Sequence, residues 1–240
     1  MKHLLASTGL ALAVAAAALA GCRVRPPAPA APAALNSRSD VATEYDLIYA
    51  IARGHVSLRP SPFLAAMIAA AGAPPAQATA LDVGSGNGRN SLYLARHGYQ
   101  VTAVDISGVG LSLTQLQAQQ DHLPVRTVDQ DINSFDFGSQ RWDLVVLVDF
   151  PFPYQALLPK IAAGLRPGGL VVVQAVSARQ SGLESPDQVL HYTFMHRRDL
   201  TAAFAGFTVL HDQVAEQPTV WGVRAMMITF AARKPRQKSR

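Results

Sequence analysis

The chain has 240 residues, a formal net charge of +5, 49% hydrophobic content and one cysteine, so an intramolecular disulfide is excluded. The positive excess sits at the ends: five of the 21 basic residues occupy the last eight positions and three more precede residue 26. Residues 26–232 then hold 13 basic against 16 acidic residues, and with no basic stripe on the body nucleic acid is disfavoured as a substrate. No His/Cys cluster has metal-ligand spacing, so no metal is expected.

Met-Lys-His opens the chain, and an apolar stretch from Leu4 to Ala20 leads to Gly21 and Cys22. A positive charge, a hydrophobic run and small residues before a cysteine describe a secretory signal. Leu19-Ala20-Gly21-Cys22 resembles the bacterial lipoprotein box, which implies a signal peptide over 1–21, lipid on Cys22 and membrane attachment in the bacterial cell envelope. Residues 22–39 are Pro/Ala-rich and predict an extended tether, 40–233 one domain with a sizeable core, and 234–240 a basic tail.

Within the domain, 41–53 places Tyr45, Ile48 and Tyr49 at helical spacing, and Ser61-Pro62 starts a second helix over 62–71 that ends at Gly72. Ala80–Val83 is a short apolar strand entering a loop with glycines at 84, 86 and 88. A helix over 89–97 follows, with Asn87 and Asn90 placed to cap its start. Strand 100–104 ends on Asp105 and Ile106, and Ser107 is the expected N-cap of helix 108–120. Strand 124–128 leads into Asp129-Gln130-Asp131-Ile132. Trp142–Asp149 is a near-continuous apolar run, as expected of a strand covered on both faces.

The carboxyl end of that strand carries Asp149-Phe150-Pro151-Phe152-Pro153-Tyr154, and a helix is predicted over 154–164. Leu165-Arg166-Pro167-Gly168-Gly169 reads as a tight turn into strand 170–176. Residues 177–192 are polar and irregular, suited to a lid or acceptor loop; helix 194–204, strand 207–214 and a final antiparallel strand within 221–232 complete the chain. Strand, glycine loop, helix, strand and acid form the front half of a nucleotide-type α/β fold. The expected fold is therefore α/β and Rossmann-like: seven mostly parallel strands, helices on both faces, the last strand antiparallel.

The loop departs from the dinucleotide fingerprint at Asp82, just before the glycines. A dinucleotide site parks a pyrophosphate on the helix N-terminus. A carboxylate there would repel a pyrophosphate but attract a cationic amino-acid moiety. Glycines let backbone N–H groups approach a ligand, and Asp105 at a strand's carboxyl end can accept from two vicinal ribose hydroxyls. Another nucleotide binder of the same βαβ type is the competing class.

Asp82-Val83-Gly84-Ser85-Gly86-Asn87-Gly88 resembles the first motif of class I S-adenosylmethionine-dependent methyltransferases. Residues 86–95 (GNGRNSLYLA) followed by Gly98-Tyr99 and Asp105 are similar to the tellurite-resistance branch and its thiopurine-methyltransferase-like relatives. The Leu-x-Pro-Gly-Gly segment also recurs in class I enzymes. The resemblance spans roughly residues 80–235. It implies S-adenosyl-L-methionine as cofactor, with Asp82, Gly84, Ser85, Gly86, Gly88 and Asn90 around the methionine part. Asp105 and Ile106 would serve the ribose, Asp131 and Ile132 the adenine, with Asp129 as the other choice for the acid. Tyr45 or Tyr49 would close over the methionine end, and Asp143 is structural.

Asp149 and Tyr154 are the candidate catalytic residues, with Phe150 beside them in the acceptor pocket, because this strand end resembles, loosely, the Asn/Asp-Pro-Pro-aromatic motif of amino methyltransferases. The implied acceptor is a small molecule. Tellurite is unsupported: the His-Arg pair of those enzymes is absent, Glu216–Trp221 occupies its turn, and Arg224 alone corresponds. His191, His196, Arg197 and Arg198 are nearby polar groups read as surface or capping. A lipoprotein that binds nucleotide or S-adenosylmethionine without turnover is the alternative function, because export separates the domain from a cytoplasmic cofactor.

Overall fold

The structure, a computed structural model, describes residues 38–51, 57–150, 153–178, 194–218 and 224–236. The expected signal peptide, Cys22 and most of the tether, the loop over 179–193 with His191, and residues 237–240 of the tail lie outside the described residues. In chain order the elements are α1 (Arg38–Ile51), α2 (Pro62–Ala71), β1 (Thr79–Val83), α3 (Arg89–Arg96), β2 (Gln100–Asp105), α4 (Gly108–Gln120) and β3 (Val125–Asp129). There follow β4 (Trp142–Val148), α5 (Leu157–Gly164), β5 (Leu165–Val176), α6 (Arg197–Ala203), β6 (Thr208–Pro218) and β7 (Arg224–Arg233).

One seven-stranded sheet runs β3-β2-β1-β4-β5-β7-β6. The first five pair in parallel, and β7 is antiparallel to both β5 and β6. Side chains alternate across a strand, and the core divides by that parity. Leu81, Val83, Val145, Leu147, Val171 and Val173 pack with Leu157, Leu158 and Ile161 of α5. Ala80, Leu144, Val146 and Val172 pack with Leu64 and Ile68 of α2 and Leu94 of α3. Helices therefore cover both faces. The strand order reverses between β1 and β4, which opens a crevice at their carboxyl ends, the usual ligand position in such sheets.

Local chemistry explains most boundaries. Ser61 caps α2 by accepting from Leu64 N–H at 3.2 Å with Pro62 in the first turn, and Ser107 caps α4 by accepting from Gly110 N–H at 3.0 Å. Asp143, expected to be structural, accepts from Thr79 N–H at 2.8 Å and from Arg166 at 2.5 Å, tying the starts of β1 and β5 to β4.

Three expectations need correction. Leu165–Gly169 is not a tight turn but the first part of β5: Leu165 pairs with Trp142, and a register shift follows before Leu144 meets Leu170. The reason lies across the sheet, where Gly168 N–H donates to Lys234 O at 2.9 Å and Lys234 N–H to Gly169 O at 2.8 Å. Lys234 is therefore part of the fold, its ammonium donating to Ala162 O and Leu165 O at the end of α5. Similarly, α1 begins at Arg38, two residues inside the expected tether.

Candidate active site

The glycine loop lies at the crevice, held down by β2. Gly84 and Ser85 N–H both donate to Val104 O, at 2.9 and 3.1 Å, and Gly86 N–H donates to the Asp105 carboxylate at 2.8 Å. Gly84 and Gly86 have φ of +67° and +55°, which side-chain-bearing residues rarely adopt. A Cβ at Gly84 would fall 2.7 Å from the Phe150 ring, and one at Gly86 would collide with the Tyr49 hydroxyl. The loop is thus a backbone surface walled by Phe150 at the end of β4 and by Tyr49 of α1.

Gly88 itself, at φ +78°, is the N-cap of α3 and makes no side-chain cap bond. The expectation that Asn87 or Asn90 would cap this helix is therefore corrected. Asn90 turns away instead, its Oδ1 accepting from Ser61 N–H at 3.0 Å. The Ser85 hydroxyl is buried and has no hydrogen-bond partner.

Two carboxylates flank the loop. Asp105 Oδ1 accepts from Ser107 N–H at 2.8 Å and Oδ2 from Gly86 N–H, while burial pushes its carboxyl above the usual range against the pull of the Ser107, Gly86 and Ile106 amides. A carboxylate has about four acceptor sites, so Asp105 retains acceptor capacity for a ribose hydroxyl. Asp82, with the parity of Ala80, points to the α3 face and accepts from Ser91 Oγ at 2.6 Å. Its burial raises the carboxyl to about 6, with the Ser91 hydrogen bond and the Arg89 charge opposing. A buried acid of this kind is suited to a cationic ligand group, which favours its charged form.

Asp149 ends β4 with φ +56° and is ion-paired to Arg89 at 2.7 Å, while Gln174 Nε2 donates to its other oxygen at 3.3 Å. Burial is the largest influence on Asp149 and raises its carboxyl, with Arg89 opposing. Phe150 follows at the crevice. Tyr154 is elsewhere: it is fully buried, its hydroxyl donates to Asp199 at 2.9 Å and accepts from His196 N–H at 2.7 Å, and its ionisation is pushed up to about 12 mainly by burial. The geometry moves Tyr154 from an acceptor-facing position to the core, where it anchors the approach to α6.

Of the residues expected beside the adenine, Asp131 accepts from Asn133 N–H at 2.8 Å and organises its own turn, and Ile132 is buried in the core shared with Val83 and Val104. Asp129 is exposed, beside Gly108. Three other basic residues are already paired: Arg197 with Asp212, Arg198 with Asp199 and Arg224 with Glu216. Sequence reasoning missed two groups. Asp46 of α1 accepts from Ser107 Oγ at 2.6 Å and Val109 N–H at 2.9 Å, fastening α1 over the end of β2. Gly110 leaves room for the Gly86 carbonyl, 2.8 Å from where its Cβ would be.

A seven-stranded sheet with this order, a glycine turn after β1 and an acid after β2 define the Rossmann-like class I methyltransferase fold. Residues 80–169 match the family described as "Methyltransferase domain". Over 101 residues, 40% of this chain, it is 33% identical to the ubiquinone biosynthesis O-methyltransferase of Coxiella burnetii, 43% of whose length is covered. Over 86 residues, 36% of this chain and 30% of the relative, it is 32% identical to the probable S-adenosyl-L-methionine-dependent methyltransferase TehB of Haemophilus influenzae. The chain thus spans less than half the length of these relatives. Among solved structures, the 1,6-didemethyltoxoflavin-N1-methyltransferase of Burkholderia thailandensis, with bound 1,6-didemethyltoxoflavin and S-adenosylhomocysteine, is 27% identical. Its TM-score is 0.60 over 88% of this chain and 93% of that one.

Proposed function

We propose that this chain is an S-adenosylmethionine-dependent methyltransferase acting on a small-molecule acceptor. The observation that carries the proposal is the backbone cradle built on Gly84 and Gly86, flanked by the buried acid Asp82 and the half-buried acid Asp105 at the carboxyl ends of adjacent strands. The cradle fits the cofactor: a buried hydroxyl on Ser85 lacks a partner, and Asp82 is placed to neutralise a cationic amino-acid end. S-adenosylmethionine, when bound, supplies an electrophilic methyl group on a sulfonium.

The protein's own contribution is alignment and exclusion of water. Gly84, Ser85 and Gly86 with Asp82 would hold the methionine part, and Asp105 with Ile106 the ribose. Asp131 and Ile132 remain the proposed adenine neighbours by resemblance. Tyr49 covers the loop from α1. Phe150 walls the side toward β4, where Asp149 is the proposed acceptor-side acid.

A second function is favoured by one observation. Asp149 and Tyr154 both spend their polar atoms inside the protein, as expected of a binding protein without turnover. Transfer of a labelled methyl group from the cofactor to a panel of thiols, amines and phenols separates the two. Product with any member supports the enzyme, and binding of cofactor with no transfer across the panel supports the binder.

We further propose that the domain works as a lipid-anchored protein of the bacterial cell envelope, a proposal supported by the sequence around Cys22. Globomycin-sensitive processing before Cys22 tests it, and an unprocessed soluble product in the native host counts against it.

A further inference from the structure

Arg89 opens α3 directly after the cradle, and Asp149 stands where β4 ends beside it. Their side chains are only 13% and 8% exposed, and the guanidinium meets the carboxylate at 2.7 Å. The pair is built into the fold. Asp149 N–H donates to Gln174 O at 2.8 Å, and the Gln174 amide donates to its carboxylate. Gln174 Oε1 in turn accepts from Ser61 Oγ at 2.6 Å, and Ser61 N–H donates to Asn90, the neighbour of Arg89. This closed chain of contacts holds Asp149 in its left-handed backbone conformation, with Phe150 against Gly84.

The Arg89 guanidinium thus brings a positive charge, largely withdrawn from water, beside a cradle read here as the seat of a sulfonium cation. Poorly screened like charges repel. Asp149 cancels that charge where it arises. The cofactor and its product differ in one respect that such a pair can sense: S-adenosylmethionine carries the sulfonium charge, and S-adenosylhomocysteine, a neutral thioether at sulfur, does not.

We infer that the Arg89–Asp149 pair sets the preference of the site for the cationic cofactor over its thioether product, Asp149 serving as the charge-compensating residue and Arg89 as the anchor that positions it. The inference rests on the methyltransferase function proposed above. A residue that only braced the fold would alter affinity for both ligands alike; charge compensation alters one against the other.

Titration calorimetry of the full chain with S-adenosylmethionine and with S-adenosylhomocysteine tests it, on the wild type, Asp149→Asn, Arg89→Met and the double variant at pH 8. Asp149→Asn leaves Arg89 uncompensated and raises the ratio of the two Kd values, cofactor over product, by about threefold or more, the water-screened lower bound for unit charges several ångströms apart. Arg89→Met lowers the ratio by about threefold or more, and the double variant returns it to within about twofold of wild type. Arg89→Met carries the test should Asp149→Asn not fold. A ratio unchanged within about twofold in the folded single variants, with both ligands bound, overturns the inference alone. Failure of the wild type to bind either ligand overturns it together with the methyltransferase function.

Discussion

Asp82 offers the sharpest link between the burial seen in the structure and a bench measurement. Its side chain is 1% exposed at the end of β1, and burial raises its carboxyl from 3.8 to about 6. A raised acid binds its proton more tightly in the folded chain than in the unfolded one. Its stabilising contribution is fully present below about 3.8 and is lost as pH rises through about 6. The size of the loss is about 3 kcal/mol. Asp82→Asn keeps an acceptor for Ser91 Oγ but carries no charge to desolvate. At pH 7 the variant is then more stable than wild type by up to about 3 kcal/mol, and the gap closes near pH 4. Urea unfolding of both proteins at steps from pH 4 to 8, followed by circular dichroism, measures the difference curve. The same substitution is expected to weaken S-adenosylmethionine binding and to remove the rise in affinity predicted for wild type between pH 5 and 7. A stability difference that stays flat across pH 5–7 would refute the reasoning.

Gly86→Ala places a side chain at φ +55° against the Tyr49 hydroxyl, so it costs about 1–2 kcal/mol for the backbone and more for the collision. Chemical denaturation of Gly86→Ala with and without Tyr49→Ala separates the parts, because the second change relieves only the collision. Asp46→Ala removes two hydrogen bonds to a carboxylate, costing about 1.5–3 kcal/mol, and raises hydrogen exchange across 38–51, while Asp46→Asn retains most of the protection. Tyr154→Phe loses its bonds to Asp199 and His196 and lowers stability by roughly 1–2 kcal/mol, with S-adenosylhomocysteine affinity unchanged by calorimetry.

The strands that build the crevice were legible because they are buried on both faces: Ala80–Val83, Val101–Val104 and Trp142–Val148 are near-continuous apolar runs, each interrupted by one polar residue, needing no knowledge of neighbours. Asp82 and Asp105 were legible because each is fixed by its distance from the glycines along one βαβ unit. What was not legible depends on partners distant in sequence. Arg89 finds Asp149 60 positions away, Asp46 finds Ser107 61 positions away, and Gly169 becomes strand only because Lys234 arrives beside it. Tyr154 looked available because an aromatic after a strand end suggests a pocket. Its burial is decided by Asp199 and by the His196 amide on a later segment. Asn90 likewise looked like a cap, but Gly88 supplies the turn by its own backbone and frees Asn90 for Ser61.

The central claim is that the cradle between Asp82 and Asp105 binds a sulfonium nucleoside, and calorimetry on the wild-type chain and on Asp105→Ala tests it most directly. Methyltransferase function predicts that wild type binds both S-adenosylmethionine and S-adenosylhomocysteine and that Asp105→Ala, still folded, binds neither. Binding of a nicotinamide or flavin dinucleotide in their place, or affinities untouched by Asp105→Ala, would contradict it.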